Sequence, residues 1–325
     1  MASNLHVIFG TGPLGIWTAR TLLAAGQRVR MVNRSGQSAA APQGAELVRG
    51  DAYDTAQTRE LTRDAVSIYQ CSQPAYHQWA EYFPPMQASL MAAAAANQAK
   101  LIAAENVYMY GDPEGQPLRE SSPYRAHTRK GRVRQAMTEQ LFAAHQRGDL
   151  RATSLRGSDF FGPEDLIWSR LLFQPALQGK SVNLIGRLDQ IHTFTYAPDF
   201  GRALAIAGMN DAAPGRPWHV PSAPAITQQQ LIDLIAAVVN KPVKPMMAGG
   251  FMLRAIGLFN PTINEMVEML YEWTKPFVVE SNDFTAQFGM QPTPIAEAVR
   301  ATLEWNQTPL ATKLLAAHTQ ASLLH

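Results

Sequence analysis

Residues 5–15 read LHVIFGTGPLG, an apolar run from Leu5 to Phe9 that enters glycines at Gly10, Gly12 and Gly15; Ile16, Ala19, Leu22 and Leu23 then follow at helical spacing. A short strand, a glycine turn and a helix in that order hold a dinucleotide pyrophosphate. Each glycine has its own task. Gly10 permits the tight turn, Gly12 lets the pyrophosphate approach the backbone, and Gly15 brings the helix close to the strand. Pro13 and Leu14 open the helix, whose unpaired N–H groups and positive dipole end face the phosphates.

The following residues bear on which nucleotide. After Gly26, Arg28 to Val32 (RVRMV) reads as a second strand that ends in Asn33, Arg34 and Ser35. A carboxylate at this place would take the ribose 2′-hydroxyl of NAD, and none is present. Arg34 would pair with a 2′-phosphate, with Asn33 and Ser35 as neutral donors, so NADP(H) is the expected cofactor and NAD(H) the alternative. Arg34 as a solvated loop charge is the other reading.

The chain has 325 residues, a formal charge of +2 and one cysteine, Cys71. That length suits a substantial core, and the near-balanced charge gives no footing for nucleic acid. A lone cysteine excludes an intrachain disulfide. A first strand starting within five residues of Met1 leaves no room for a secretory signal, so a cytoplasmic location is expected. The alanine run Met91 to Ala96 is too short for a bilayer, so no membrane partner is expected.

Strand and helix patterns alternate through the first half, which implies an α/β, doubly wound parallel sheet with helices on both faces. Further strands are expected at Glu46 to Arg49, Ser67 to Cys71, Lys100 to Ala104 and Arg151 to Leu155, with long helices over Ala75 to Gln98 and Lys130 to Arg147. Thr227 and Gln230 have capping-box spacing ahead of Leu231, Leu234 and Ile235. Pro261 to Thr274, Thr293 to Trp305 and Pro309 to Leu324 read as three more helices. The expected division is a nucleotide-binding domain over 1–180 with a return segment near 190–210, and a smaller, mostly helical substrate cap over 211–325. The cleft between them is the expected substrate site.

With the glycine turn, Gly50-Asp51, Tyr110-Gly111 and Phe161-Gly162-Pro163 in this order, the chain resembles the extended short-chain dehydrogenase/reductases, the NAD(P)-dependent epimerase/dehydratase family. His192 to Asp199 is similar to that family's segment entering the cap, and Pro217 to Pro221 to its later strand. The resemblance implies that Asp51 accepts from the adenine amino group with Ala52 beside it, that Cys71, Ser72 and Gln73 line the cofactor, and that Gly157 and Ser158 hold the nicotinamide end. It places Asp159 toward substrate. Asp51 as a turn carboxylate and Asp159 as a cap remain open. Family glycines are usually spaced GxxGxxG, and the first of these falls on Phe9 here.

The larger departure is chemical. Counting back from Glu139, the family's tyrosine falls on Gly131 and its lysine on Gln135; counting back from Gly111, its serine falls on Asn106. The chain therefore resembles an atypical subgroup that lacks the usual Tyr-x-x-x-Lys. Asn106 would hold a carbonyl or oxyanion. Tyr108, two residues on, is the expected alternative acid, or else a packed tyrosine. From the cationic run Arg129 to Arg134, Lys130 or Arg134 would lower a phenol pKa, hold the nicotinamide ribose or bind a carboxylate, and Gln135 would contact the ribose. Tyr76 and Trp79 would wall the cleft or pack in the core. His192 stands where sugar-nucleotide enzymes carry an arginine, which weakens a nucleotide-sugar substrate, and is a candidate for substrate contact or catalysis. His77, His145, His219 and His318 lack metal-ligand spacing, so no metal is expected.

These features imply an NADP-dependent oxidoreductase or epimerase-like enzyme for a small carbonyl or alcohol metabolite. The alternatives are a non-catalytic NADP-sensing regulator and a non-redox lyase or isomerase. A homodimer through the two long helices is what the resemblance implies.

Overall fold

The structure, a computed structural model, describes residues 4–248, 265 and 267–323. Strand β1 (Leu5–Phe9) is buried along its whole length, with Leu5, Val7 and Phe9 in the core of one sheet face and Ile8 in that of the other. Alternation with both faces apolar is what a central parallel strand requires. Strands β2 (Arg28–Asn33), β3 (Glu46–Arg49), β4 (Ala65–Gln70), β5 (Lys100–Glu105) and β6 (Arg151–Arg156) match the expected strands to within about two residues. Two-residue strand β7 (Phe160–Phe161) follows, and then β8 (Val182–Ile185), β9 (Ile191–His192), β10 (Thr195–Tyr196) and β11 (Pro217–His219).

Seven of these form one parallel sheet in the order β11-β6-β5-β4-β1-β2-β3. The chain reverses its winding between β1 and β4, so their carboxyl ends form the crevice where such sheets bind ligands. Helix α1 (Pro13–Ala24) covers one face with a later helix, and α2 (Thr55–Leu61), α3 (Trp79–Asn97) and α4 (Arg129–Gln146) follow along the chain. Ala93 and Ala94 of the alanine run are fully buried against Leu90, Leu101 and Leu141, where small side chains let α3 lie close to the sheet. The expected helix start at Ala75 is instead a 3-10 turn over Tyr76–Gln78, since the residue after Pro74 stays extended at φ −55°, ψ 143°.

Short helices α5 (Leu166–Trp168) and α6 (Gln174–Leu177) lead into β8; α7 (Ala197–Met209) packs beside α1, burying Phe200 and Leu204. Beyond β11 come β12 (Ile226–Thr227), α8 (Gln228–Val239) and β13 (Pro245–Ala248). Helix α8 starts with the capping box read from Thr227 and Gln230. Strand β13 pairs with β8, and β12 with β9, to build the cap around Phe161, Phe173, Phe194, Leu231, Trp273 and Leu303.

The chain passes between the main sheet and the cap several times. Pro217–His219 is the edge strand of the main sheet, and the unexpected helix Asn282–Phe288 packs on it through Trp218, Phe284 and Phe288. Residues 172–185, conversely, belong to the cap core. Of the helix expected over 261–274, positions 261–264 and 266 lie outside the described residues, and Tyr271–Thr274 is a short helix. Helices Ile295–Asn306 and Pro309–Leu323 stand where expected. No described helix is long and apolar enough to cross a membrane.

Candidate functional site

The glycine turn is built as its spacing requires. Gly10 has φ +119°, and a Cβ there would stand 2.7 Å from the Cys71 carbonyl carbon and 2.8 Å from the Ser72 nitrogen. The turn and the end of β4 thus touch backbone to backbone, and Cys71 N donates to Phe9 O at 2.9 Å. A Cβ on Gly15 would run into the Gly10 carbonyl, which is the close helix approach. Gly12 differs: a Cβ there meets nothing within 4 Å. It is the N-cap of α1, makes no side-chain cap bond, and is followed by Pro13 with no acidic residue in the first turn. An uncapped helix N-terminus with open space over a glycine fits a pyrophosphate.

Asn33 organises the neighbouring loop. Its Nδ2 donates to Thr11 Oγ1 at 2.9 Å and to Gln37 O at 2.8 Å, while its Oδ1 accepts from Ser35 N, Ser35 Oγ and Gly36 N. The donors expected from Asn33 and Ser35 are therefore engaged within the loop, and Arg34 is left exposed on it. The parallel register sets exposed Arg49 of β3 beside Asn33, a second guanidinium that sequence spacing did not single out. Asp51 Oδ1 accepts from Tyr53 N at 3.0 Å, the turn role left open above, and Asp51 N donates to Gln57 Oε1. Ala52 lies against the α3-side core. Ser72 Oγ donates weakly to Met86 Sδ at 3.5 Å, Gln73 is exposed, and burial pushes the Cys71 thiol up to about 12, so it stays protonated.

At the ends of β5 and β6 the cleft has two walls. On one, the Tyr76 hydroxyl donates to the Tyr108 hydroxyl at 3.4 Å, Trp79 packs against both rings, and Asn106 Oδ1 accepts from Tyr108 N. Burial first raises both phenols above their usual range, and the charges of Glu272 and Asp159 add to it, after Tyr76 in the case of Tyr108. That is opposite to the lowering a neighbouring lysine gives. Lys130 is buried, and its Nζ donates to Tyr76 O at 2.6 Å and to Glu265 Oε2 at 2.8 Å while lying 3.9 Å from the centre of the Tyr76 ring. Its charge is thus matched inside the wall. Gln135 donates to Glu139 at 2.8 Å along α4.

On the other wall, Asp159 Oδ2 lies 3.0 Å from His192 Nε2. Ser158 Oγ stands 3.5 Å from the same nitrogen, and Ser158 N donates to Thr195 Oγ1. His192 Nδ1 donates to the Glu272 carbonyl at 3.1 Å. The imidazole is stacked between Trp273, 4.0 Å away and 10° from parallel, and Phe277 at 5.5 Å. Gly157 leaves room for Phe200, 2.7 Å from where a Cβ would stand. Burial and Asp159 together raise the Glu272 carboxyl well above the usual carboxylate range.

Beneath the cleft lies a polar core that the sequence reading did not assemble, and it takes up Arg134, expected there as a ligand-binding charge. Arg156 donates to Glu105 Oε2 at 3.0 Å, to the hydroxyls of Tyr110 and Tyr124, and to Thr138. Arg134 donates to Ala104 O and sits 3.8 Å from Glu105. Two buried guanidiniums therefore share one carboxylate.

A family model, NAD dependent epimerase/dehydratase family, matches residues 7–220, more than half of the chain. The chain belongs to that family. As a member of the epimerase/dehydratase family it is an enzyme of an epimerase-like, nicotinamide-dependent kind. Its fold is that of UDP-glucose 4-epimerase from Thermus thermophilus, solved with NAD, at TM-score 0.76, 18% identity and coverage of 94% of this chain and 99% of that one. UDP-glucose 4-epimerase from Thermotoga maritima, solved with UDP-glucose, gives 0.76 at 16% identity, covering 93% and 98%. UDP-glucuronic acid 4-epimerase from Bacillus cereus, solved with NAD, gives 0.75 at 14% identity, covering 96% and 99%. No curated protein matches the chain significantly.

Proposed function

We propose that this epimerase/dehydratase-family enzyme is an NADP(H)-dependent oxidoreductase, or an epimerase-like enzyme using internal redox, for a small uncharged carbonyl or alcohol metabolite. The observation that carries the reading is the open, uncapped start of α1 over Gly12, with exposed Arg34 and Arg49 at the ends of β2 and β3. Gly10, Gly12, Pro13, Leu14 and Gly15 would hold the pyrophosphate. Arg34 would meet the 2′-phosphate, with Asn33 and Ser35 shaping the loop that presents it. Asp51 and Ala52 would flank adenine; Cys71, Ser72 and Gln73 the ribose-phosphate edge; Gly157 and Ser158 the nicotinamide end, with Gln135 at the rim. When bound, the nicotinamide supplies or accepts a hydride with its electron pair.

The chain's own residues position the reacting carbonyl. Asn106 and Tyr108 donate to its oxygen, Tyr108 remaining a neutral donor because burial keeps its proton on. Lys130, matched by Glu265, holds Tyr76 in place and offers no free cation for a substrate carboxylate. Asp159 and the buried Glu272 line the opposite wall, where burial raises the Glu272 carboxyl well above the usual carboxylate range. His192, occupied by Asp159 and Glu272 O, completes that wall. Incubation with NADPH and a panel of neutral aliphatic and aromatic aldehydes and ketones, followed at the reduced-cofactor absorbance, tests this reading. Oxidation with at least one compound is expected. Nucleotide binding without oxidation across the panel would favour a sensing protein, and turnover of a substrate without nicotinamide a lyase or isomerase.

A further inference from the structure

Resting on the redox reading of the same cleft, we infer that Asp159, backed by His192, gives and takes the substrate proton in place of the absent phenol. The tautomer of His192 follows from its partners. A carbonyl only accepts, so Nδ1, 3.1 Å from Glu272 O, carries a hydrogen. A neutral ring then directs its Nε2 lone pair at Asp159 Oδ2, 3.0 Å away, where a carboxylate offers only lone pairs. The contact holds when one further proton lies between them, as imidazolium with carboxylate or as imidazole with carboxylic acid. The pair is thus a one-proton store.

Its two members are unequally placed. The Asp159 side chain is 25% exposed and that of His192 only 2%, so Asp159 meets substrate and His192 acts through it. Trp273 and Phe277 both lie close to parallel with the imidazole and fix its orientation toward Asp159. Ser158 Oγ, 3.5 Å from Nε2, can turn its hydrogen to that nitrogen once the proton has gone. From the surrounding elements the ionisable groups facing the pair are Glu272 and Tyr271 beside His192, and Tyr76 and Tyr108 across the cleft; Glu272 and all three phenols are raised in part by the Asp159 charge. Lys130 lies behind Tyr76, neutralised by Glu265.

The proton balance is simple. The substrate carbonyl carbon gains the hydride and its electron pair, the carbon–oxygen π pair moves onto oxygen, and that oxygen takes the pair's proton from Asp159. Asp159 is left as carboxylate, and the store refills from solvent at its exposed edge. Oxidation of the alcohol runs the same steps backward.

The test has two arms. In nucleotide-free, nitrogen- and carbon-labelled protein, a single proton should be seen bridging His192 Nε2 and the Asp159 carboxylate, and Asp159→Asn should abolish that signal; its absence in the unaltered protein, or its survival in Asp159→Asn, overturns the proposal. With the carbonyl compound reduced fastest in the panel, Asp159→Asn should lower kcat by about 100-fold or more. KM and NADPH affinity should change less than about threefold, and His192→Gln should displace the pH profile of kcat. Tyr108→Phe should cost no more than about tenfold, the loss of one oxygen-directed donor. Retention of kcat in Asp159→Asn with collapse in Tyr108→Phe overturns the proposal. Absence of any reduction by the unaltered enzyme sinks the redox reading instead, and the bridging proton still decides the store.

Discussion

Gly131 lies against Tyr108: a Cβ on residue 131 would stand 2.7 Å from the Tyr108 carbonyl oxygen and 2.9 Å from Thr128 Oγ1. Residue 131 is the position on which the count back from Glu139 put the family's tyrosine. The first turn of α4 therefore lies close on the residues after β5, and backbone fills the space a side chain at 131 would need. The neighbouring wall is a stack in which Lys130 seats on Tyr76 and Tyr76 on Tyr108.

This contact separates two glycines that look alike in sequence. Gly131→Ala should destabilise the protein by about 1–3 kcal/mol, because the obstructing atom is backbone and the gain in helix propensity is smaller. Gly12→Ala, with φ −81° and free space around it, should leave the unfolding midpoint without nucleotide within about 0.5 kcal/mol of the original. It should nonetheless weaken nucleotide binding about tenfold or more, by about 1.4 kcal/mol. Urea denaturation beside calorimetric binding checks both; a stable Gly131→Ala would contradict the packing described.

Glu105 is the one carboxylate that Arg156 and Arg134 share. Removing its charge strands two buried guanidiniums, so Glu105→Gln should cost about 3–5 kcal/mol in chemical denaturation. Tyr110→Phe, which takes an acceptor from Arg156 and the 2.8 Å donor from His219 Nε2, should cost about 1–3 kcal/mol. A loss under about 1 kcal/mol in Glu105→Gln would mean that the network contributes little.

His219 sets a pH signature. Nδ1 donates to Glu280 O and Nε2 accepts from Tyr110, so the folded ring is neutral. Burial first, then Arg156, hold it down to about 3 against an ordinary 6.5. The unfolded chain takes up a proton that the folded one refuses, so this contribution is complete above pH 6.5 and is lost as pH falls toward 3. The stability lead of the unaltered protein over His219→Gln should narrow by about 1.4 kcal/mol per pH unit below about 6.5. A lead constant from about pH 7.5 to about 5 would show that the ring takes a proton without penalty.

Sequence patterning made the nucleotide half legible because its determinants are local. LHVIFGTGPLG carries strand, turn and helix in eleven residues, and Thr227 with Gln230 announces α8 from three residues' separation. The chemical half depends on contacts far apart in the chain. Lys130 meets Glu265 across 135 positions, and His192 meets Glu272 across 80. A run of arginines entering α4 reads as a solvated or ligand-binding face, yet Arg134 is buried, since its partner Glu105 closes a different strand. Trp273 and Phe277 give no periodic signal for clasping an imidazole. The Asn33 loop departs from expectation in a smaller way: its side-chain groups are engaged within the loop and with Thr11, so they are not free donors.

The most direct measurement is isothermal titration of NADPH and NADH into the protein and into Arg34→Ala. The account predicts binding of both, with NADPH the tighter, and an Arg34→Ala loss of about 1.5–3 kcal/mol confined to NADPH, the worth of one charge-assisted contact to the 2′-phosphate. Equal affinity for the two nucleotides, unchanged in Arg34→Ala, would contradict the assigned preference, and no heat from either at millimolar concentration would contradict the site itself.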